Sequence, residues 1–187
     1  MGKIIVGFAV SLDGFIEGPN HEIDWIIHDK DQFKKLKDQW DGTEAMIYGR
    51  KTYETVITMA KKRRDLMNPF SHMKHYVFSE SLEFVEEGFI LTKGNTRDLV
   101  EKIKMGHEKN IAVFGGAILA SSLINLGLVD ELVFAICPVI LGSGKPYFSG
   151  ITGRKDFSLK ESVSFSSGLV SLTYSLKPTE QKQLSGE

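Results

Sequence analysis

Three short stretches of this 187-residue chain set glycine beside residues that can hold an anion. The first is VFGGAIL, Val113 to Leu119, where two adjacent glycines join the apolar run IAVF to a helical pattern. Glycine weakens regular structure, so a pair at such a joint serves either a tight turn or a ligand brought against bare backbone. A helix N-terminus exposes unpaired N–H groups and the positive end of the macrodipole, which suits phosphate. GGAILA lacks the third spaced glycine of the GxGxxG fingerprint, which sets it apart from a Rossmann nucleotide site. The second stretch is YGRKTYE, Tyr48 to Glu54, where Gly49 ends an apolar run. There Arg50 offers a planar cationic fork, and Thr52 and the amides of the next helix offer donors. The plain alternative is a glycine turn with Arg50 solvated and Thr52 capping. The third is AVSLDGFIEG, Ala9 to Gly18, whose loop carries Asp13, Gly14 and Gly18. Ligands of open α/β sheets sit beyond the carboxyl ends of strands, and all three joints fall at such ends. The spacing predicts that they line one crevice.

Those joints need strands and helices to carry them. KIIVGFAVS, Lys3 to Ser11, is almost wholly apolar and reads as a central strand covered on both faces. DKDQFKKLKDQW follows as a helix with Phe33, Leu36 and Trp40 on one face and lysines around the rest. AMIYG, HYVFS, FILT, IAVF and ELVFAICPVIL read as further strands, and KTYETVITMA as a helix. NTRDLVEKIKMG opens on an Asn or Thr cap and ends at Gly106, and AILASSLINLG stops at Gly127. SLKESVSF and GLVSLTYSLKP alternate strictly around a Ser-Ser-Gly turn, which predicts an antiparallel hairpin at the sheet edge. Val170, Leu172, Tyr174 and Leu176 take one face of its second strand, and Ser171, Thr173 and Ser175 the other. Alternating β and α elements followed by such a pair imply a three-layer α/β/α domain with a mixed, mostly parallel sheet. One domain is expected over residues 1–178, with a polar tail over 179–187.

Bulk properties narrow the function classes. A net charge of −1 and a pI of about 6.5 give no general attraction to nucleic acid or anionic membrane. The one basic cluster, Lys61 to Arg64, is followed by Asp65 and reads as a solvated loop. The longest apolar run, LVFAICPVIL, is too short to span a bilayer, and the N-terminus lacks the pattern of a signal peptide. The single cysteine, Cys137, has no neighbouring His or basic residue to activate it and reads as packing. A lone cysteine fits a reducing cytoplasm. His72 and His75 lack a supporting Cys or carboxylate cluster, so no metal site is expected.

Taken in order, AVSLDGFIEG, GRKTYE, VFSES and VFGGAIL resemble the dihydrofolate reductase superfamily. PVILGSGKPYF resembles its branch that holds the C-terminal reductase domain of the bifunctional riboflavin-biosynthesis deaminase/reductase, the RibD type. The resemblance covers nearly the whole chain and implies a dihydrofolate-reductase-like fold and NADPH as cofactor. It implies that Ala9 offers its backbone to the nicotinamide carboxamide beside the loop of Asp13 and Gly14. Gly49, Arg50 and Thr52 hold the adenosine phosphates in that scheme, with Ser79 near the 2′-phosphate. Gly115, Gly116, Ala117, Ile118 and Leu119 line the pyrophosphate and nicotinamide ribose. Asp29 falls nearest the family's acidic residue, with Asp31 as the competitor and water without an essential carboxylate as the third alternative, and either aspartate also reads as a carboxylate stabilised at a helix N-terminus. Asp13, Trp25 and Phe33 are expected on the substrate side, and Lys145 reads as either a phosphate contact or a solvated lysine. The expected activity is reduction of a small nitrogen heterocycle, such as 5-amino-6-(5-phosphoribosylamino)uracil or a pterin-like compound, by a cytoplasmic homodimer. Dihydrofolate reduction is the enzymatic alternative. A nucleotide-binding module without turnover is the alternative from another class.

Overall fold

The computed structural model describes residues 2–62, 67 and 70–177. Arg63, Arg64 and Asp65 of the basic cluster, and the tail from Pro178, lie outside the described residues. The apolar runs form an eight-stranded sheet from β1 (Ile4–Val10), β3 (Thr43–Gly49), β4 (Lys74–Phe78), β5 (Phe89–Thr92), β6 (Asn110–Val113), β7 (Glu131–Ile136), β9 (Phe157–Ser164) and β10 (Val170–Leu176). Their order is β5-β4-β3-β6-β1-β7-β10-β9. The first six in that order run parallel, and β10 pairs antiparallel with both β7 and β9. Two short strands, β2 (Phe15–Glu17) and β8 (Lys145–Pro146), pair with each other outside this sheet.

Helices cover the two faces in pairs: α1 (Lys30–Asp41) with α2 (Arg50–Lys62), and α3 (Thr96–Met105) with α4 (Ala117–Asn125). The alternation of β3 shows why. Ala45 and Ile47 pack with Val100 and Ile103 of α3 and Leu123 and Ile124 of α4. Met46 and Tyr48 point the other way, to Tyr53 and Val56 of α2 and to Trp40 of α1. Period-two side chains on a strand feed both layers at once. The helix ends follow local chemistry. Asn95 caps α3 by accepting from the amides of Arg97 and Asp98, and Gly106 ends it. Past the end of α4, Gly127 takes a φ of +68°, a conformation glycine adopts at little cost. The three-layer arrangement is the one that the resemblance implies.

Three details depart from the sequence reading. The run ELVFAICPVIL is a strand only to Ile136, because Pro138 has no N–H to continue the ladder. Beyond it the chain crosses over β1, with the Cys137 amide bonded to Val10 O and the Leu12 amide to Val139 O, both at 2.8 Å. Cys137 itself is fully buried and unpaired. The alternation of β10 holds, yet the polar side is the buried one, with Ser171 and Thr173 each only 8% exposed. Finally, β1 is covered more closely on one face than on the other. Ile4 and Val6 are fully buried against α3 and α4, while Gly7 on the opposite face is exposed.

Candidate functional site

The carboxyl ends of β1, β3 and β6 lie side by side, which brings the three glycine-bearing joints to one edge of the sheet. From there β1 and β3 feed the α1/α2 layer, whereas β6 feeds α4 on the other face. Divergent exits of neighbouring strands open a crevice, and the Gly115–Gly116 pair stands at its centre. The joint is tightly tied. The Gly49 amide donates to Gly115 O and the Phe114 amide to Ile47 O, each at 2.9 Å. Gly115 has a φ of +113°, outside the range L side chains adopt readily, and its peptide bond to Gly116 is cis. A methyl group on Gly116 would sit 3.1 Å from the Thr52 hydroxyl oxygen, and one on Gly49 would sit 3.5 Å from the Gly116 nitrogen. The starts of α2 and α4 thus come within contact distance of each other here.

Those two helix starts differ from the others. Asp29 caps α1 and Asn95 caps α3 through their side chains. At α4 the N-cap is Gly116, with no side-chain cap bond and no acidic residue in the first turn. The first turn of α2 carries no acidic residue either, and it begins at Arg50. Two converging N-termini left without carboxylates are a place that can accept an anion. Gly49, Arg50, Thr52, Gly115, Gly116 and Ala117 are together there. Ile118 is 73% exposed at the rim, and half-buried Leu119 packs toward the α3/α4 core. Arg50 is engaged within its own helix, its guanidinium 2.9 Å from the Glu54 carboxylate. Ser79, at the end of β4, uses its hydroxyl to accept from the Leu82 amide at 3.1 Å and so shapes the loop after that strand.

The second part of the site is a cleft beside β1. Gly7, midway along this interior strand, has nothing within 4 Å of the place where a Cβ would stand. Glycine at such a position marks close approach by a ligand or another chain segment. In register with Gly7 and Ala9 stand Val133 and Ala135 on β7, and with those stand Thr173 and Ser171 on β10, so all share the open face. Over this face lies α1, none of whose residues is buried. It is tied at its middle by the Lys35–Glu161 ion pair to β9 and near its end by Trp40, packed edge-on to Phe70 at 4.7 Å. Phe33, half exposed, meets Trp40 edge-to-face at 5.6 Å, and Phe114, 44% exposed, lies 6.1 Å from Phe70. An aromatic wall thus runs from α1 to the glycine pair. Gly7, Phe114, Ser171 and Thr173 were missed by sequence reasoning. The glycine interrupting IIVGFAV was the signal that could have found the cleft.

Several expected site residues make structural contacts. Asp29 accepts from the Asp31 and Gln32 amides at 2.9 and 3.0 Å as the cap of α1. A hydrogen bond from Ser167 and these amides hold its carboxyl below the ordinary range, so it is ionised. Asp31 is exposed in the first turn of that helix. Asp13 ties the loop after β1 to the loop after β7, accepting from the Ser11 hydroxyl at 2.7 Å and from the Leu141 and Gly142 amides at 3.2 and 2.7 Å. Lys145 is partly exposed and paired with Glu17 at 2.9 Å across the β2–β8 ladder. Trp25 donates its indole N–H to Glu22 O at 3.1 Å within the loop before α1. Buried His75 lies 2.9 Å from the Tyr48 hydroxyl and 3.1 Å from Phe70 O, and burial lowers its pKa. His72 lies 3.2 Å from Trp40 O. Among the described residues no group of three His, Cys, Asp or Glu side chains is placed to hold a metal ion, and no helix is long and apolar enough to cross a membrane.

Comparison with known proteins shows what the chain and its fold resemble. The uncharacterised proteins YyaP and YwjB of Bacillus subtilis (strain 168) are 38% and 29% identical over 179 and 169 residues. These matches span 92% and 87% of this chain and 94% and 92% of theirs. The fold is that of a candidate riboflavin biosynthesis protein from Shewanella sp. PV-4, with a TM-score of 0.82 at 22% identity over 94% of this chain and 99% of that one. It is also that of part of the Thermotoga maritima diaminohydroxyphosphoribosylaminopyrimidine deaminase/5-amino-6-(5-phosphoribosylamino)uracil reductase. There the TM-score is 0.69 at 16% identity, over 94% of this chain and 57% of that one. The sequence model of the RibD C-terminal domain matches residues 2–171, and the chain belongs to that family.

Proposed function

We propose that this chain is an NADPH-dependent reductase of a small nitrogen heterocycle, of the kind that reduces a ribosylamino-pyrimidine in riboflavin synthesis. The observation that carries the reading is the pairing of two carboxylate-free helix N-termini at the glycine pair with an open strand centre beside them. The first suits a pyrophosphate and the second leaves room for flat rings. When bound, NADPH supplies a hydride to an electron-poor carbon of the substrate. The chain's own part is to position and to exclude. Gly49, Gly115 and Gly116 bring donor N–H groups close to the diphosphate. The Arg50 guanidinium turns from Glu54 to the 2′-phosphate. Phe33 and Phe114 hold ring faces and keep bulk water away. Asp29 is ionised and occupied as a cap, so the proton added beside the hydride comes from water rather than from a carboxylic acid. That occupation favours a pyrimidine-type reductase over dihydrofolate reduction. We place the enzyme in the cytoplasm as a homodimer, which light scattering at micromolar concentration tests.

The decisive experiment compares NADPH and NADH by calorimetric titration and steady-state kinetics, with wild type and Arg50→Gln. A charge-assisted hydrogen bond contributes about 1.5–3 kcal/mol, or roughly 10- to 150-fold preference for NADPH. The substitution should remove that preference and leave NADH efficiency unchanged. Equal efficiency with both cofactors in the wild type removes Arg50 from the 2′-phosphate. Binding without oxidation across pterins, diaminouracils and carbonyl compounds would identify a nucleotide-binding module instead.

A further inference from the structure

The open face of the sheet carries two hydroxyls whose placement is otherwise unexplained. Ser171 and Thr173 are each 8% exposed, yet neither side chain has a hydrogen-bond partner among the described residues. No side-chain polar atom among the described residues is both fully enclosed and unpartnered, so both oxygens still reach the space in front of the sheet. That space is the cleft: the rows Gly7–Val133–Thr173 and Ala9–Ala135–Ser171 cross the sheet on one face. Val133 and Ala135 present no polar atom between the hydroxyls and β1. The charged groups around them are committed elsewhere. Glu161, in register with Thr173, is paired with Lys35, and Asp29 is held by the α1 amides and Ser167. Further toward the start of β7, Glu131 is clamped by Lys3 and Lys160, each at 2.7 Å.

We propose that Ser171 and Thr173 form the hydrogen-bonding edge of the substrate seat, and that the ring they take is a flat, uncharged heterocycle with adjacent donor and acceptor groups. A hydroxyl both donates and accepts, so the pair matches an amide or lactam edge and does not favour an ionised one. Phe33 and Phe114 supply the apolar contact for the ring face. The inference rests on the reductase reading for which ring matters, but its test does not need turnover.

Binding of 5,6-diaminouracil, pterin and, as a charged control, benzamidine is measured by calorimetry with wild type, Ser171→Ala, Thr173→Val and Thr173→Ser. The uncharged rings should bind the wild type more tightly than benzamidine does. Ser171→Ala and Thr173→Val should each weaken them by roughly threefold to tenfold, the yield of one net hydrogen bond. Thr173→Ser, which keeps the hydroxyl, should stay near wild type, and the NADPH affinity of all three variants should be unchanged. Undiminished ring binding in both hydroxyl-deleting variants overturns the proposal. So does tighter binding of benzamidine, or failure of both uncharged rings to bind the wild type. Ring binding that follows this pattern in a protein that does not bind NADPH supports the seat and defeats the reductase reading alone.

Discussion

Asp29 and Asp13 show how the fold can engage a carboxylate near the candidate site. Asp29 faces the amides that open α1, and Asp13 faces the amides of the Leu141–Gly142 turn. Both are held below the ordinary carboxyl range, Asp29 mainly by its Ser167 hydrogen bond and Asp13 mainly by that of Ser11. A carboxylate so held is a poor general acid at neutral pH. Asparagine caps a helix as well as aspartate does, whereas alanine does not. Asp29→Asn should therefore keep both the melting temperature and NADPH oxidation close to wild type. Asp29→Ala should lower the melting temperature by a few degrees. Loss of turnover in Asp29→Asn with an unchanged melting temperature would restore Asp29 as the proton donor.

At the level of the element, β1 and α1 form an unusual pair. The strand is apolar enough to be central, yet its midpoint is glycine, and the helix above it buries none of its residues. A strand glycine with free space around its Cβ position is normally replaceable at a gain, because a side chain restricts the unfolded chain. Gly7→Val should thus leave stability unchanged or raise it by about 0.4–1 kcal/mol. It should also fill the cleft and abolish binding of heterocycles while NADPH still binds at the glycine pair. Thermal denaturation and the two titrations check these outcomes together. A stable variant with undisturbed heterocycle binding would move the substrate seat away from β1.

Across the whole molecule, the resolved carboxyl shifts point one way. Asp13 and Asp29 lie below 3.8, and Glu17, Glu22, Glu44 and Glu131 below 4.5. For Glu131, burial acts upward and is outweighed by Lys160 and Lys3. A depressed carboxyl contributes stability above its unfolded value, lost as pH falls through the folded one. His75, lowered from 6.5 by burial, acts in the same sense, since the unfolded chain takes up its proton first. Lys160, raised from 10.5 mainly by its hydrogen bond to Glu131, supports the fold until pH climbs through its folded value. The melting temperature should hold steady from about pH 7 to 9, decline gently below the unfolded histidine value near 6.5 and steeply below about 4.5. Calorimetry across that range checks it, and a melting temperature that rises on acidification would contradict the assignment.

Local patterns in the chain were enough for the elements and the joints between them. The periods of IIVGFAV, KTYETVITMA and GLVSLTYSL, the cap at Asn95 and the glycines at 115 and 116 act over a few residues, so strand, helix and joint were all legible. Alternation alone carries no information on which face is buried. In β10 the answer, polar side inward, depends on α1 lying across the sheet and on the cleft beneath it. The β2–β8 ladder and the grip of Asp13 on Leu141 and Gly142 join segments 128 residues apart in sequence. No local spacing encodes such contacts. Helix starts and glycines act locally, so the chain alone is enough to read the elements and the glycine-bearing joints. That Asp13 is a clasp, and that Gly7, Ser171 and Thr173 share one face, emerges only on folding. Those roles depend on which faces meet across the sheet.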